Sequence, residues 1–320
     1  MSLALLFPGQ GAQRAGMLHT LPDTPAARSV LTESSQILEE FGIVDVDSPE
    51  TLPDTVATQL ALVIAGVACG RSLLDDSGLT AAFVAGHSVG AFAAAVVAHV
   101  LTLGEALTAV HLRGTAMRAA CAGRDWGMAA VVGLTPTACG RLAAQCSTTR
   151  EPLWVANVNS GTQTVLAGTE TGLDAAAQAA RHAGARAFDR LDVRVASHGP
   201  VQAGTAETLR AHLATVPRRD PALRYITNSG GRSVCSAQAV LDDLASSVAR
   251  PVRWYDGVRL MAELGVSAAI ETTPGHTLTR LTGAIAPTIA AVALDDTGLA
   301  ATVARAHLSG SRANGNPPSW

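Results

Sequence analysis

Ser88 lies in the pentapeptide Gly86-His87-Ser88-Val89-Gly90, after the apolar run Ala81-Ala82-Phe83-Val84-Ala85 and before the apolar stretch Ala91–Leu103. The run predicts a buried strand and the stretch predicts a helix, so the pentapeptide has the context of a nucleophile elbow. Such a turn holds a serine hydroxyl clear of the backbone and facing a cleft, which suits acyl transfer or hydrolysis. A chain with 30 glycines also produces Gly-x-Ser-x-Gly through composition alone, so the flanking elements carry the weight. A serine nucleophile needs a base. His198, in Ser197-His198-Gly199-Pro200, is one of nine histidines and is either a structural or surface residue or, from its predicted turn after a strand, an imidazole projected into a cleft. Arg113, on a predicted helix over Leu103–Arg118, is either a solvated residue or, if buried facing Ser88, a bidentate partner for a carboxylate.

These residues need a scaffold. Leu3–Phe7 predicts a first strand leading into the loop Pro8-Gly9-Gln10-Gly11. Helical spacing follows over residues 24–41, and Thr55 begins a strongly apolar helix carrying Gln59. With the elbow strand and its two helices, the order is strand–helix–strand–helix, the sign of an α/β domain with a parallel sheet. From Gly127 the order changes to strand Met128–Leu134, helix Thr135–Cys146, strands Leu153–Val158 and Gln163–Gly168, helix Thr171–Ala183 and strand Arg186–Val193. That βαββαβ order is the ferredoxin-like unit. The large unit then resumes with helix Thr205–Val216, strand Tyr225–Asn228, helices Ala237–Ala249 and Arg253–Glu263, strand Ala268–Thr272 and a last strand over Ile289–Leu294. The expected organisation is an α/β-hydrolase-like large domain over 1–126 and 194–308, with a short parallel sheet. A ferredoxin-like subdomain over 127–193 and a loose tail over 309–320 complete it.

Composition removes several function classes. Hydrophobic residues make up 48% of the 320 and charged residues 15%, but alanine is the cause. The longest apolar stretches, around Leu60–Cys69 and Ala91–Leu103, fall short of the about 18 residues that a membrane span needs. No basic segment precedes the N-terminal apolar run, so a cytoplasmic protein with no membrane association is expected. A net charge of −3 argues against a nucleic-acid partner. All 23 basic residues are arginine, which excludes a Schiff-base, biotinyl or lipoyl lysine and a Walker A loop. Five cysteines without a CxxC pair read as reduced, mostly buried thiols. No metal-ligand spacing is present, and no permanently bound cofactor is expected.

Four further segments accompany Ser88 in order: Phe7-Pro8-Gly9-Gln10-Gly11-Ala12-Gln13, His111-Leu112-Arg113-Gly114, Ser197-His198 and Glu271-Thr272-Thr273-Pro274-Gly275. Together they resemble the malonyl-CoA:acyl-carrier-protein transacylase family from about Leu3 to Leu294. The resemblance implies that Ser88 takes malonyl from coenzyme A, with His198 as base, and passes it to a carrier-protein thiol in a ping-pong reaction. It implies a histidine oriented by a backbone carbonyl within Ser246–Val248, so no catalytic aspartate is nominated. It also implies an oxyanion hole from the backbone N–H groups of Gln10 and Val89, and Arg113 as the clamp on the malonyl carboxylate. Val89 fits on physical grounds too, since the residue after an elbow serine opens a helix with its N–H free. Gln59 is expected to line the same pocket, with His87, Asn157 and Asn159 as further pocket candidates.

Within the family, Ala91-Phe92-Ala93-Ala94-Ala95-Val96 replaces the acidic and aromatic pair that usually continues the elbow, and Gly199 stands where a cysteine is common. Val89–Val96, Thr58–Val67, Gly16-Met17-Leu18-His19 and Ala249–Trp254 look like the epsilon subunit of bacterial malonate decarboxylase. That likeness implies a carrier subunit bearing a phosphoribosyl-dephospho-CoA thiol. The alternative acceptor is the phosphopantetheine thiol of a fatty-acid or polyketide carrier protein. A serine thioesterase or esterase and a non-catalytic docking subunit are the competing readings.

Overall fold

The computed structural model describes residues 2–193 and 195–313. The chain opens with β1 (Ser2–Phe7), α1 (Pro25–Glu40), α2 (Thr55–Arg71), β2 (Phe83–Gly86), α3 (Gly90–Val97) and α4 (Leu103–Ala120). Next come β3 (Trp126–Val132), α5 (Pro136–Cys146), β4 (Leu153–Ser160), β5 (Gln163–Thr169), α6 (Glu170–His182) and β6 (Ala187–Arg190). The remainder is α7 (Ala203–Leu213), β7 (Arg224–Ile226), β8 (Ser233–Val234), α8 (Ala237–Ser246), α9 (Trp254–Glu263), β9 (Val266–Glu271), α10 (Thr277–Ile285), β10 (Ala290–Ala293) and α11 (Leu294–Ala313).

Two sheets result. The larger runs β10-β9-β1-β2-β7-β8 and is parallel except where β8 returns along β7. β1 shows why its sequence is uniformly apolar. Leu3, Leu5 and Phe7 enter the core under α2 and α3, while Ala4 and Leu6 enter a second core with Val258, Met261 and Leu278 of α9 and α10. A parallel sheet covered on both faces leaves no polar side. The smaller sheet is antiparallel, in the order β4-β5-β3-β6. Its Ala129, Val131 and Leu166 pack on Leu142 of α5 and Leu173 of α6. The opposite face, including Met128, Ala130 and Val165, is turned to the cleft. β4 also joins the larger unit directly, through Val158 N–H to Val252 O and Val252 N–H to Ala156 O, both at 2.8 Å.

α2 is apolar all round because it is central. Asp54 caps it by accepting from Val56 N (2.8 Å) and Ala57 N (3.1 Å), and α1, α3 and α4 pack around it. With a following π turn over Ser72–Asp76 it forms a 22-residue helical segment, Thr55–Asp76, long and apolar enough to cross a membrane, yet 94% of its most apolar window is buried here. The sequence expectation of only shorter apolar runs is corrected by this segment. A buried all-apolar helix is the other solution open to such a sequence. α4 starts in a capping box between Thr102 and Glu105.

Other expectations also change. The helix over Ala91–Leu103 ends at Val97, because His99 turns left-handed (φ 65°) and Val100 N–H closes back on Ala95 O at 2.9 Å. The short β8, together with α10 and α11, was not expected. α11 breaks at Gly298 and carries helix into residues 309–313, where a loose tail was expected; 314–320 lie outside the described residues.

Candidate active site

The elbow forms where β2 ends. Ser88 takes φ 53°, a left-handed conformation strained for a side chain with a Cβ, and this lifts Oγ off the end of the sheet. Gly90 makes the turn possible, since a Cβ there would sit 2.2 Å from Phe7 O of β1. Asn228, just beyond β7, pins the turn from behind. Its Oδ1 accepts from Ser88 N at 2.8 Å and its Nδ2 donates to Gly86 O at 2.9 Å.

His198 meets Ser88 from across the cleft, with Nε2 2.8 Å from Oγ. Nδ1 lies 2.7 Å from Ser247 O, in the 3-10 turn Ser247–Ala249 after α8. A carbonyl only accepts, so Nδ1 carries the proton and Nε2 is left as the acceptor for the Ser88 hydroxyl. His198 also has a left-handed backbone (φ 58°), held by its N–H to Val248 O at 2.7 Å. Trp154 of β4 supports the neighbouring residues. Its Nε1–H donates to Ser197 O at 3.0 Å, and its indole so covers Gly199 that a Cβ there would meet Nε1 at 1.9 Å. Burial first, then the charge of Arg113, holds the His198 pKa down to about 3, so the imidazole rests neutral.

Arg113 enters from α4. It is 2% exposed, donates from Nη1 to Gln59 Oε1 at 2.6 Å and from Nη2 to Ser88 Oγ at 3.1 Å. Among the described residues no carboxylate pairs with it. Burial alone lowers its pKa to about 10. Gln59 does not line the cleft, contrary to expectation; it stands behind Arg113 and fixes one side of the guanidinium. Its own Nε2 rests 3.5 Å from Met117 Sδ.

The remaining candidates converge on the same cleft, a cavity of about 430 Å³ lined by Gln10, His87, Ser88, Arg113, Asn157, Asn159 and His198. Its walls are the Pro8–Gln13 loop on one side and the open face of the small sheet on the other. Val89 is buried at the start of α3, and among the described residues neither its N–H nor that of Gln10 meets a protein acceptor. His87 points sideways, with Nε2 3.0 Å from Asn159 Oδ1, while Asn159 Nδ2 donates to Gln163 Oε1 at 3.2 Å. Burial lowers the His87 pKa. Asn157 Oδ1 is buried and has no hydrogen-bond partner among the described residues.

Asn228, Asp243 and Trp154 were not read from the sequence. For Asn228 a signal existed: a polar residue at the carboxyl end of the strand beside the elbow strand, where open α/β sheets place their sites.

A serine on an elbow, a histidine turned by a backbone carbonyl and a buried arginine at the serine, set between an α/β core and a ferredoxin-like sheet, define a serine acyltransferase. The chain belongs to the acyl transferase domain family, which matches residues 4–307, and within it to the malonyl-CoA:acyl-carrier-protein transacylases. It is 33% identical over 298 residues to the malonyl CoA-acyl carrier protein transacylase of Salmonella typhimurium, covering 92% of this chain and 96% of that one. The Mycobacterium tuberculosis transacylase is 33% identical over 281 residues, covering 86% and 90%. Among solved structures, the acyl-carrier-protein S-malonyltransferase of Burkholderia pseudomallei superposes with a TM-score of 0.85 at 32% identity, covering 92% and 96%. A malonyl-transacylase in complex with its type II polyketide-synthase acyl-carrier protein gives 0.88 at 31%, covering 97% and 100%.

Proposed function

We propose that the protein is a ping-pong malonyltransferase that moves malonyl from malonyl-CoA to the thiol of an acyl-carrier protein. The observation that carries this reading is Arg113, a buried guanidinium that touches Ser88 Oγ and meets no carboxylate among the described residues. A malonyl thioester brings the missing carboxylate, and an acetyl thioester does not.

The chemistry follows from the geometry. Ser88 Oγ attacks the thioester carbonyl carbon while His198 Nε2 takes the hydroxyl proton. The negative charge formed on the carbonyl oxygen is received by the N–H groups of Gln10 and Val89. As the intermediate collapses the C–S bond breaks, the Nε2 proton passes to the departing sulfur, and malonyl remains on Ser88. The carrier thiol then repeats the sequence in reverse. Ser247 O keeps the imidazole in the tautomer both halves require. Asn157 Oδ1 offers an acceptor to an amide N–H of the thiol arm. Both partners, a CoA thioester and a carrier protein, suit a cytoplasmic enzyme.

The acceptor is best read as the phosphopantetheine thiol of a fatty-acid or polyketide carrier, because the similar proteins are transacylases and one is in complex with such a carrier. The malonate decarboxylase carrier is the second reading. It rests on the likeness of Val89–Val96, Thr58–Val67, Gly16-Met17-Leu18-His19 and Ala249–Trp254 to the decarboxylase epsilon subunit. The test is intact-protein mass spectrometry after brief exposure to malonyl-CoA, then to each holo carrier. A malonyl adduct lost in Ser88→Ala and discharged by the fatty-acid or polyketide carrier is expected. Discharge only by the decarboxylase carrier would move the chain to the second reading, and discharge to water would make it a hydrolase. Undiminished malonyl exchange by Ser88→Ala would refute the mechanism.

A further inference from the structure

The elbow is held by a buried carboxylate that touches neither Ser88 nor His198. Asp243 of α8 is 4% exposed and accepts from Asn228 N at 2.7 Å, Ser229 N at 2.9 Å and Ser229 Oγ at 2.6 Å. Three donors on one carboxylate fix its plane and, through the two backbone amides, fix the start of the loop after β7. Asn228, also 4% exposed, then uses every polar group it has. Its N–H goes to Asp243, its Oδ1 to Ser88 N–H, its Nδ2–H to Gly86 O, and its own carbonyl accepts from Arg253 N at 2.7 Å. Arg253 follows Val252, the residue that binds β4 and stands shortly after the Ser247 carbonyl that orients His198.

We infer that Asn228, set in place by Asp243, is a positioning residue for the reaction: it fixes the left-handed Ser88 turn and ties it to the segment that orients the base. The inference rests on the reading of Ser88 as nucleophile. Two features of the geometry support it. The Ser88 N–H is occupied by Asn228 Oδ1, so the turn cannot rotate that amide toward the cleft without leaving both groups unpaired in a buried place. Val89 N–H, which meets no protein acceptor among the described residues, is thereby left as the elbow amide free for a ligand. Further, the side-chain amide clips both sides of the turn, Gly86 O before the serine and Ser88 N at it. A polar residue used only for solubility or packing would not meet both.

The experiment compares Asn228→Ala and Asn228→Asp with wild type, measuring the single-turnover rate of malonyl-serine formation, KM for malonyl-CoA and thermal unfolding. Asn228→Asp is nearly isosteric and keeps the acceptor for Ser88 N–H, while placing an oxygen against Gly86 O. Ser236→Ala serves as control, since it removes the cap of α8 (Ser236 Oγ from Ala239 N, 3.3 Å) and leaves the clip intact. A misplaced nucleophile loses about 100-fold in rate, so Asn228→Ala is expected to acylate about 100-fold more slowly per folded molecule, with KM within about threefold of wild type. Asn228→Asp is expected to fall between the two, and Ser236→Ala to acylate as wild type does despite a lower Tm. Acylation by Asn228→Ala within threefold of wild type, an Asn228→Asp rate no better than that of Asn228→Ala, or a loss that appears in KM with the rate intact, overturns the inference. A wild-type protein that forms no malonyl-serine overturns the underlying catalytic reading instead.

Discussion

On the proposed reading, Arg113→Ala separates recognition of the malonyl carboxylate from the acyl-transfer chemistry. In the resting protein the guanidinium is 2% exposed and, among the described residues, meets only neutral groups, Gln59 Oε1 at 2.6 Å and Ser88 Oγ at 3.1 Å. Burial holds its pKa near 10 instead of 12.5. A malonyl carboxylate in bidentate contact supplies the missing counter-charge in a buried place. Truncating one partner of a buried, hydrogen-bonded charge pair costs about 2–5 kcal/mol. Deleting the arginine is therefore expected to lower kcat/KM for malonyl-CoA by about 10²- to 10³-fold. Acetyl-CoA brings no charge, so its kcat/KM is expected to stay level or to rise. The assay is competitive acylation of Ser88 by equal malonyl-CoA and acetyl-CoA, read by intact mass. Arg113→Met, which fills much of the same space, separates loss of charge from the cavity and is expected to unfold at or above the wild-type Tm, since an unpaired buried cation has gone. A malonyl-over-acetyl preference within threefold of wild type in both variants would refute the reasoning.

The neutral His198 sets the pH response. With a folded pKa of about 3 against 6.5 for the free side chain, kcat/KM is expected to show no acid limb near pH 6.5, as a pH–rate series between about 5 and 8 would test. The unfolded chain binds the proton first, so stability from this group is complete above about pH 6.5 and falls by about 1.4 kcal/mol per unit as pH drops toward 3; denaturant melts across that window measure it. Gly90→Ala forces a Cβ to within 2.2 Å of Phe7 O, a backbone atom that cannot step aside, and is expected to cost about 3 kcal/mol or more in urea unfolding. Trp154→Phe keeps a ring but loses the bond to Ser197 O, and should lower stability by about 1 kcal/mol. The same variant should slow single-turnover acylation several-fold, because Ser197 precedes the base.

Much of this arrangement is legible in the sequence because local rules govern it. The apolar runs of β1 and β2 announce strands buried on both faces, and the βαββαβ order announces the small sheet. The elbow pentapeptide draws attention to Ser88, and the structure brings Arg113 and His198 to its hydroxyl. The sequence is silent where ends depend on tertiary context. Nothing in the alanine-rich run after Phe92 marks the stop at Val97, since the left-handed turn is made at His99 and not at a glycine. α10 begins where Glu271 Oε1 and Oε2 accept from Leu278 N (3.0 Å) and Thr279 N (2.6 Å), a cap supplied from the preceding strand and invisible to a local pattern. Asn228 and Asp243 act through side-chain bonds to backbone groups up to 142 positions away, so no periodicity reports them. The expectation that Gln59 lines the pocket comes with the family resemblance; one 2.6 Å bond places it behind Arg113 instead.

The left-handed backbone at both Ser88 and His198 has a consequence for how the sequence can change over generations. Each non-glycine residue held at such a φ carries about 1–2 kcal/mol of strain. Glycine at either position relieves that strain and, on the proposed mechanism, removes a reacting atom in the same step. Drift under selection for persistence alone therefore runs toward an inert and sturdier chain. Only selection for turnover holds these two side chains where they are.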